Sequence, residues 1–479
     1  MAEMDMACTI SRTKEEYTDA YDTMTWLTPE KAQAASQVRE NLITQIFEHQ
    51  GKGPEWQFAR TKLVTHGMSP GCRLCGSGDW SCLFINGICN ARCFYCPSTQ
   101  NQKGLPMTSS LEFKTPGEYV DYVRAFGIRA VSFSGGEPLM TFDRVVKYLK
   151  ALRAKISGPL YIWMYTNGLL VTEDKLKMLA DNGLDEIRFD ISADHYRLDA
   201  LKKAVGIIPC VTVEIPAIPE DLENTRQVIK QLYDGGVDYL NLHQLRCTPH
   251  NLPRLIKRGY TFVHGPKATV LETELTALEL MRYALKNNIA LPINYCSFAF
   301  RHQFQRAGAF TRNALLVKAP YQDITATGHI RTMGITGEKP AVLKVHNQLL
   351  QQAKEPALWH LAQNGEQLLF AAALWPCIDF SSVALTVAYT ATSLKSSVSF
   401  RHSFKEIPLN RKKKVVIEKY PAHPEIRLQG NRIQAFASRF ILPRAGSPPE
   451  DAMGDFPADD MFAEIKGFER VNTGLAQYY

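Results

Sequence analysis

Between residues 80 and 296 the chain alternates short β-type runs with longer amphipathic stretches, and this alternation limits the fold more than any other feature. Runs near 82–87, 130–134, 160–165, 186–191, 211–215, 239–243 and 290–295 have strand character. Between them FDRVVKYLKALRAK, TEDKLKMLADNG, DLENTRQVIKQLYDGG and LETELTALELMRYALKNN carry apolar residues at helical spacing. Gly183 and Gly235-Gly236 stand where helices should end. Repeated βα units of this length predict parallel strands joined by right-handed crossovers, in an α/β partial barrel of (βα)6 type.

The strands are also two-faced. In Glu186-Ile187-Arg188-Phe189-Asp190-Ile191-Ser192 apolar and polar residues alternate, and Thr212 with Glu214, Asn241 with His243, and Ser132 with Ser134 repeat the pattern. Strands covered by helices turn their apolar face outward, so the polar face points into the barrel. A closed barrel normally packs its interior with branched apolar side chains. Polar residues from several strands predict a lumen that holds a polar ligand; the alternative is an open, solvated sheet face.

Residues 1–70 read as a helical N-terminal extension, with SQVRENLITQIFEHQ followed by the turn Gly51-Lys52-Gly53-Pro54. Residues 71–300 form the core barrel with a cysteine knuckle at its start. From 316 to 479 the rhythm changes to a mixed, sheet-rich C-terminal domain suited to substrate recognition. GSPPEDAMGDFPADD (446–460) reads as a loop or linker. No stretch of ~20 apolar residues occurs, the longest, LLFAAALWPCIDF, being broken by Pro376 and Asp379. The start of the chain lacks a signal-type apolar core, so the expected setting is cytoplasmic and not membrane-bound. With 45% hydrophobic residues the chain is not of disordered composition, and its net charge of +7 permits an anionic ligand without requiring one. No basic–aromatic module points to nucleic acid.

Eleven cysteines are too few for a disulfide scaffold, and Cys72, Cys75, Cys82, Cys89, Cys93 and Cys96 are clustered. In a reducing setting such a cluster points to metal. Cys89-Asn90-Ala91-Arg92-Cys93-Phe94-Tyr95-Cys96 directly follows the first strand. Structural zinc takes four ligands, and ferredoxin clusters take four cysteines at other spacings. Three thiolates at this spacing can hold a four-iron cluster and leave one iron open.

This segment resembles the signature of the radical S-adenosylmethionine (SAM) superfamily. So do Ser134-Gly135-Gly136-Glu137-Pro138 at the second strand end and Tyr165-Thr166-Asn167-Gly168 at the third. The resemblance covers roughly residues 80–300. It implies that Cys89, Cys93 and Cys96 ligate a four-iron–four-sulfur cluster whose open iron chelates SAM. It implies reductive cleavage to a 5′-deoxyadenosyl radical, which takes hydrogen from a substrate. Gly135, Gly136 and Glu137 would hold the amino end of SAM. Asn167, Asp190 and Ser192 are candidates for the ribose, and Arg188 for the carboxylate. Glu214, Asn241 and His243 would face SAM or substrate, unless Arg188 and Glu214 form a lumen ion pair and His243 is a satisfied core residue. The reductant would be external, of flavodoxin or ferredoxin type. The substrate would be a peptide or protein side chain, or a small polar metabolite.

Cys72-Arg73-Leu74-Cys75-Gly76 is a knuckle that presents two thiolates to one metal. With Cys82 and Cys296 it would form a second site for zinc or an auxiliary iron–sulfur cluster. The rival from another class is a non-catalytic metal protein, binding zinc or carrying electrons. Such a protein has no use for the Gly-Gly-Glu segment.

Overall fold

The computed structural model describes residues 3–49, 53–352, 354–442 and 462–478. The 446–460 segment lies outside them. The chain divides into two compact units, Met1–His302 with Gly474–Tyr479, and Gln303–Thr473.

In the first unit the strands are β1 (Pro54–Gln57), β2 (Lys62–Thr65), β3 (Trp80–Ile88), β4 (Ala130–Gly135), β5 (Tyr161–Thr166), β6 (Glu186–Phe189), β7 (Cys210–Pro216), β8 (Tyr239–His243) and β9 (Ile293–Cys296). The sheet runs β1-β2-β9-β8-β7-β6-β5-β4-β3, and the strands from β3 to β9 pair in parallel. These are the seven strands expected from the sequence. Their apolar residues face the crossover helices: Val131, Phe133, Ile162, Met164, Ile187, Phe189, Val213, Leu240 and Ile293 are fully or nearly buried. So are Val145, Leu149, Leu176, Leu179, Ile229 and Leu232 from the helices. Each such side chain contributes about 1.5–3 kcal/mol.

Two findings differ from the sequence reading. The N-terminal 70 residues are not set apart as a helical extension. Beyond the helix Pro29–Phe47, strands β1 and β2 continue the barrel sheet, and β2 pairs antiparallel with β9. All four residues of β2 are buried, so the strand shows no two-residue alternation to read. The second finding concerns the lumen. Helix α1 (Pro70–Gly76) lies inside it, with Ser69 Oγ accepting from Arg188 and Cys72 Sγ donating to Asn241 Oδ1. A Cβ at Gly71 would stand 2.4 Å from the Arg188 guanidinium and 2.7 Å from the Glu186 carboxylate. Part of the polar lumen is thus filled by the chain itself. The chain end packs on this unit too: Tyr478 is buried and donates to Glu274.

The second unit has an antiparallel sheet centred on β10 (Ile330–Thr336), β11 (Gln367–Phe370), β12 (Ala384–Lys395) and β13 (Lys414–Pro421). Helices α2 (Lys339–Gln351) and α3 (Asn431–Phe440) contribute Val342, Val345, Leu349, Ile433 and Phe436 to its apolar core.

Candidate active site

The loop after β3, the turn after β4 and the segment after β5 meet at the carboxyl ends of the strands. A cavity of ≈ 310 Å³ opens there, lined by Cys89, Cys93, Cys96, Gly135, Gly136, Asn167, Asp190, Arg246 and Arg301, among others. Loops at this end are where βα barrels carry their chemistry.

The Gly-Gly turn is dictated by contact. Gly135 has φ +127°, and a Cβ there would meet the Asn86 carbonyl oxygen at 2.1 Å; at Gly136 it would meet that of Ile88 at 1.9 Å. The Gly136 and Glu137 N–H groups donate to those same carbonyls. What the turn offers the cavity is therefore carbonyl oxygen, which suits an ammonium group. The Glu137 carboxylate is 1% exposed and accepts from Leu139 N, Thr166 Oγ1 and Asn167 N, at 2.8–3.0 Å. Burial pushes its pKa up against those hydrogen bonds. Its side chain ties the turn after β4 to the end of β5.

Asn167 is placed against the cysteine loop, donating to Asn90 Oδ1 at 2.8 Å and to Cys89 Sγ at 3.7 Å. Asp190 and Ser192 both meet the Tyr95 hydroxyl, at 2.9 Å and 2.6 Å, and Ser192 donates to Asp190. Burial raises the Asp190 pKa, against the pull of Ser192 and Tyr95. Two of the three ribose candidates, Asp190 and Ser192, thus anchor Tyr95 of the cysteine motif. Burial, with Asp190 next, pushes the Cys93 thiol up to about 12, and burial raises Cys89. These thiols are protonated on their own and would release protons on taking up a metal.

Arg188 and Glu214 form the ion-pair alternative. Arg188 donates to Glu186 at 2.8 Å, to Glu214 at 2.7 Å and to Ser69 at 3.1 Å. Glu214 also accepts from Asn241, and His243 Nε2 stands 2.7 Å from its other oxygen. Against a burial that would raise it, Arg188 and His243 hold the Glu214 carboxyl well below its usual range. Most of the Arg188 donors are thereby taken up by Glu186, Glu214 and Ser69. His243 accepts at Nδ1 from Arg301, so it is neutral with its proton on Nε2. Burial first, then the Arg301 cation, lowers its pKa to about 4.

Residues that sequence reasoning missed hold the cysteine loop from outside. Asn251 Nδ2 donates to the Tyr95 carbonyl, Arg254 to the Cys93 carbonyl and Thr248 to the Pro97 carbonyl, each at 3.0 Å. Arg258 stacks over Phe94. Thr248-Pro249-His250-Asn251 reads only as a turn, and nothing local says what it supports.

The four cysteines expected at a second site fall into two groups. Among the described residues no three His, Cys, Asp or Glu gather as around one metal ion. Cys72, Cys75 and Cys296 lie within electrostatic reach of buried Lys62. Cys82 sits instead beside Ser132 and Ser134. β3 carries Cys82 and β9 carries Cys296, at opposite ends of the seven parallel strands. Cys89, Cys93 and Cys96 are likewise not drawn around a point. They line one cavity from one loop, which is how a multi-iron cluster is held, and the donor set fits one.

A family model described as the Radical SAM superfamily matches residues 83–238. The chain is 30% identical over 270 residues to a putative glycyl-radical enzyme activating enzyme of Methanocaldococcus jannaschii, covering 54% of this chain and 71% of that one. It is 34% identical over 128 residues to a GTP 3′,8-cyclase of Lactiplantibacillus plantarum, covering 26% of this chain and 36% of that one. Among solved structures, HydG, a maturase of the FeFe hydrogenase, aligns at 13% identity and TM-score 0.35, over 61% of this chain and 66% of that one.

Proposed function

We propose how this chain, which belongs to the radical SAM superfamily and is an enzyme using a four-iron–four-sulfur cluster and SAM, arranges that chemistry on its own residues. Cys89, Cys93 and Cys96 hold the cluster. The observation that carries this is that their loop and the Gly135-Gly136 turn line one cavity. When bound, the cluster supplies one electron to SAM, whose cleavage yields the radical that takes a hydrogen atom from substrate.

The chain's residues orient and exclude. Carbonyls of the Gly135-Gly136 turn accept from the amino group of SAM. Glu137 fixes that turn through Thr166 and Asn167 rather than touching the ligand by its carboxylate. Asn167 steadies Cys89, and Tyr95, locked by Asp190 and Ser192, keeps the loop from swinging outward. Glu214, Arg188 and His243 close the cavity from within as a satisfied network, which keeps water from the radical. An external one-electron reductant completes the cycle. For the substrate, the relatives' names point to a glycyl-radical enzyme and to GTP, two different classes.

The test is anaerobic. Reconstituted protein, dithionite and SAM should yield 5′-deoxyadenosine and methionine in equal amounts, with about four irons per chain. Cleavage at the wild-type rate by Cys93→Ala would overturn the assignment.

A further inference from the structure

The cavity is lined by three carboxylates, Glu137, Asp190 and Glu214, and three guanidinium groups, Arg188, Arg246 and Arg301, but the charges are unevenly paired. Its acidic residues are engaged: Glu137 with backbone N–H groups and Thr166, Asp190 with Tyr95 and Ser192, Glu214 with Arg188, His243 and Asn241. Arg188 is matched by Glu186 and Glu214. Two lining cations remain. Arg246 follows β8, its side chain is exposed to the cavity, and among the described residues no carboxylate lies within ion-pair distance of it. Arg301 follows β9 and donates to His243, a neutral acceptor, and to Cys296. Both guanidinium groups line the same cavity, and Arg301's charge, after burial, lowers the Arg246 pKa against the pull of Tyr17 and Glu16. Two like charges in a half-enclosed cleft raise the local potential and favour an anion between them.

In the arrangement proposed above, the amino group of SAM rests at the turn after β4, and its carboxylate is bonded to the same carbon. Arg246 follows β8, four strands further along the sheet, and Arg301 follows β9. Arginine is also the side chain best shaped to hold a planar carboxylate or a phosphate by paired hydrogen bonds.

We infer that Arg246 and Arg301 form the subsite for an anionic oxygen group of the substrate, a phosphate or a carboxylate. This rests on the reading of the cavity as the SAM site and adds the class of substrate: a small molecule carrying such a group, gripped at the β8–β9 side with its reacting carbon toward the β3–β5 side.

The experiment uses reconstituted holoenzyme with saturating SAM, titrated calorimetrically with pyrophosphate and, in a parallel arm, with malonate, at 50 and 200 mM KCl. One probe should bind saturably and more weakly at the higher salt. Preference for pyrophosphate identifies a phosphate group, and preference for malonate a carboxylate. Arg246→Gln should weaken that binding at least tenfold, while Arg282→Gln, on the outer helix Leu271–Lys286, should bind as wild type. Arg246 is exposed, so its replacement leaves the fold intact, which an unchanged melting temperature confirms. The inference is overturned if neither probe binds saturably, if Arg246→Gln binds as tightly as wild type, or if the probe binds only when SAM is left out. 5′-Deoxyadenosine is measured on the same wild-type sample. Its absence alongside anion binding would sink the SAM reading, and its presence without anion binding would sink only the subsite.

Discussion

The two units bury their interiors in opposite ways. In Gln303–Thr473 the sheet presents Met333, Ile335, Leu385 and Val387 to helices carrying Val342, Leu349 and Phe436, and the core is a continuous apolar cluster. In the barrel unit the apolar faces point outward to the helices. The inside is a polar ladder, with Thr212 on Glu186, Arg188 between Glu186 and Glu214, Asn241 on Glu214 and Asn294 on Asn241. An apolar core tolerates exchange of similar volumes. A buried polar network requires every member, because each lost partner strands another buried group. The difference teaches where the chemistry is: the unit with the costlier interior is the one with the cavity.

That comparison can be broken in several places. The largest effect is expected at the loop. Cys93→Ala should lower 5′-deoxyadenosine formation more than 100-fold and remove the cluster's absorbance, whereas Cys377→Ala, in the other unit, should change neither. Next come the two interiors. Phe436→Ala opens a hole in the apolar core and should cost ~3–5 kcal/mol in the denaturant unfolding of its unit. Glu214→Ala leaves Arg188 and His243 short of a partner and should cost a similar ~3–5 kcal/mol in the barrel unit. If Glu214→Ala were neutral, the ladder would not be a cooperative network.

The third prediction concerns pH. His243 is held near 4 in the folded chain and titrates near its ordinary value when unfolded. The unfolded chain takes up the proton first, so this stability is complete above ~6.5 and is lost as pH falls toward 4, up to ~3 kcal/mol. His264 in the barrel unit and His329 in the other unit are lowered the same way, chiefly by burial. With two such histidines against one, the barrel unit should be the more acid-sensitive. His243→Gln should flatten its unfolding free energy between pH 7 and 4, and an unchanged slope would refute the assignment. The smallest effect is at Asn251, which is fully buried and whose amide holds the Tyr95 carbonyl. Asn251→Ala should cost ~1–3 kcal/mol and be seen best as faster loss of iron to a chelator.

The seven parallel strands, their crossover helices and the two-faced polarity were legible because each is a local periodicity. The cysteine loop and the Gly-Gly turn were legible because their spacing is short. Legibility failed where a side chain had more than one use. The sequence offers the Arg188–Glu214 pair as an alternative, but Asp190 and Ser192 read only as facing the cavity, and their partner Tyr95 lies 95 and 97 positions away. Strand β2 gave no alternation because both its faces are covered. Arg246 and Arg301 drew no notice, since an arginine after a strand is ordinary until its neighbours' charges are counted.

The sequence by itself determined the strand and helix rhythm, the thiol triad and the glycine pair, all set by interactions within a few residues. Tertiary structure alone decided that helix α1 fills the lumen, that Arg188 is paired with Glu214 rather than left free, and that Asp190 and Ser192 are bonded to Tyr95. The physical reason is that a buried polar group takes whichever partner the fold brings within hydrogen-bond reach, and sequence distance carries no record of that choice.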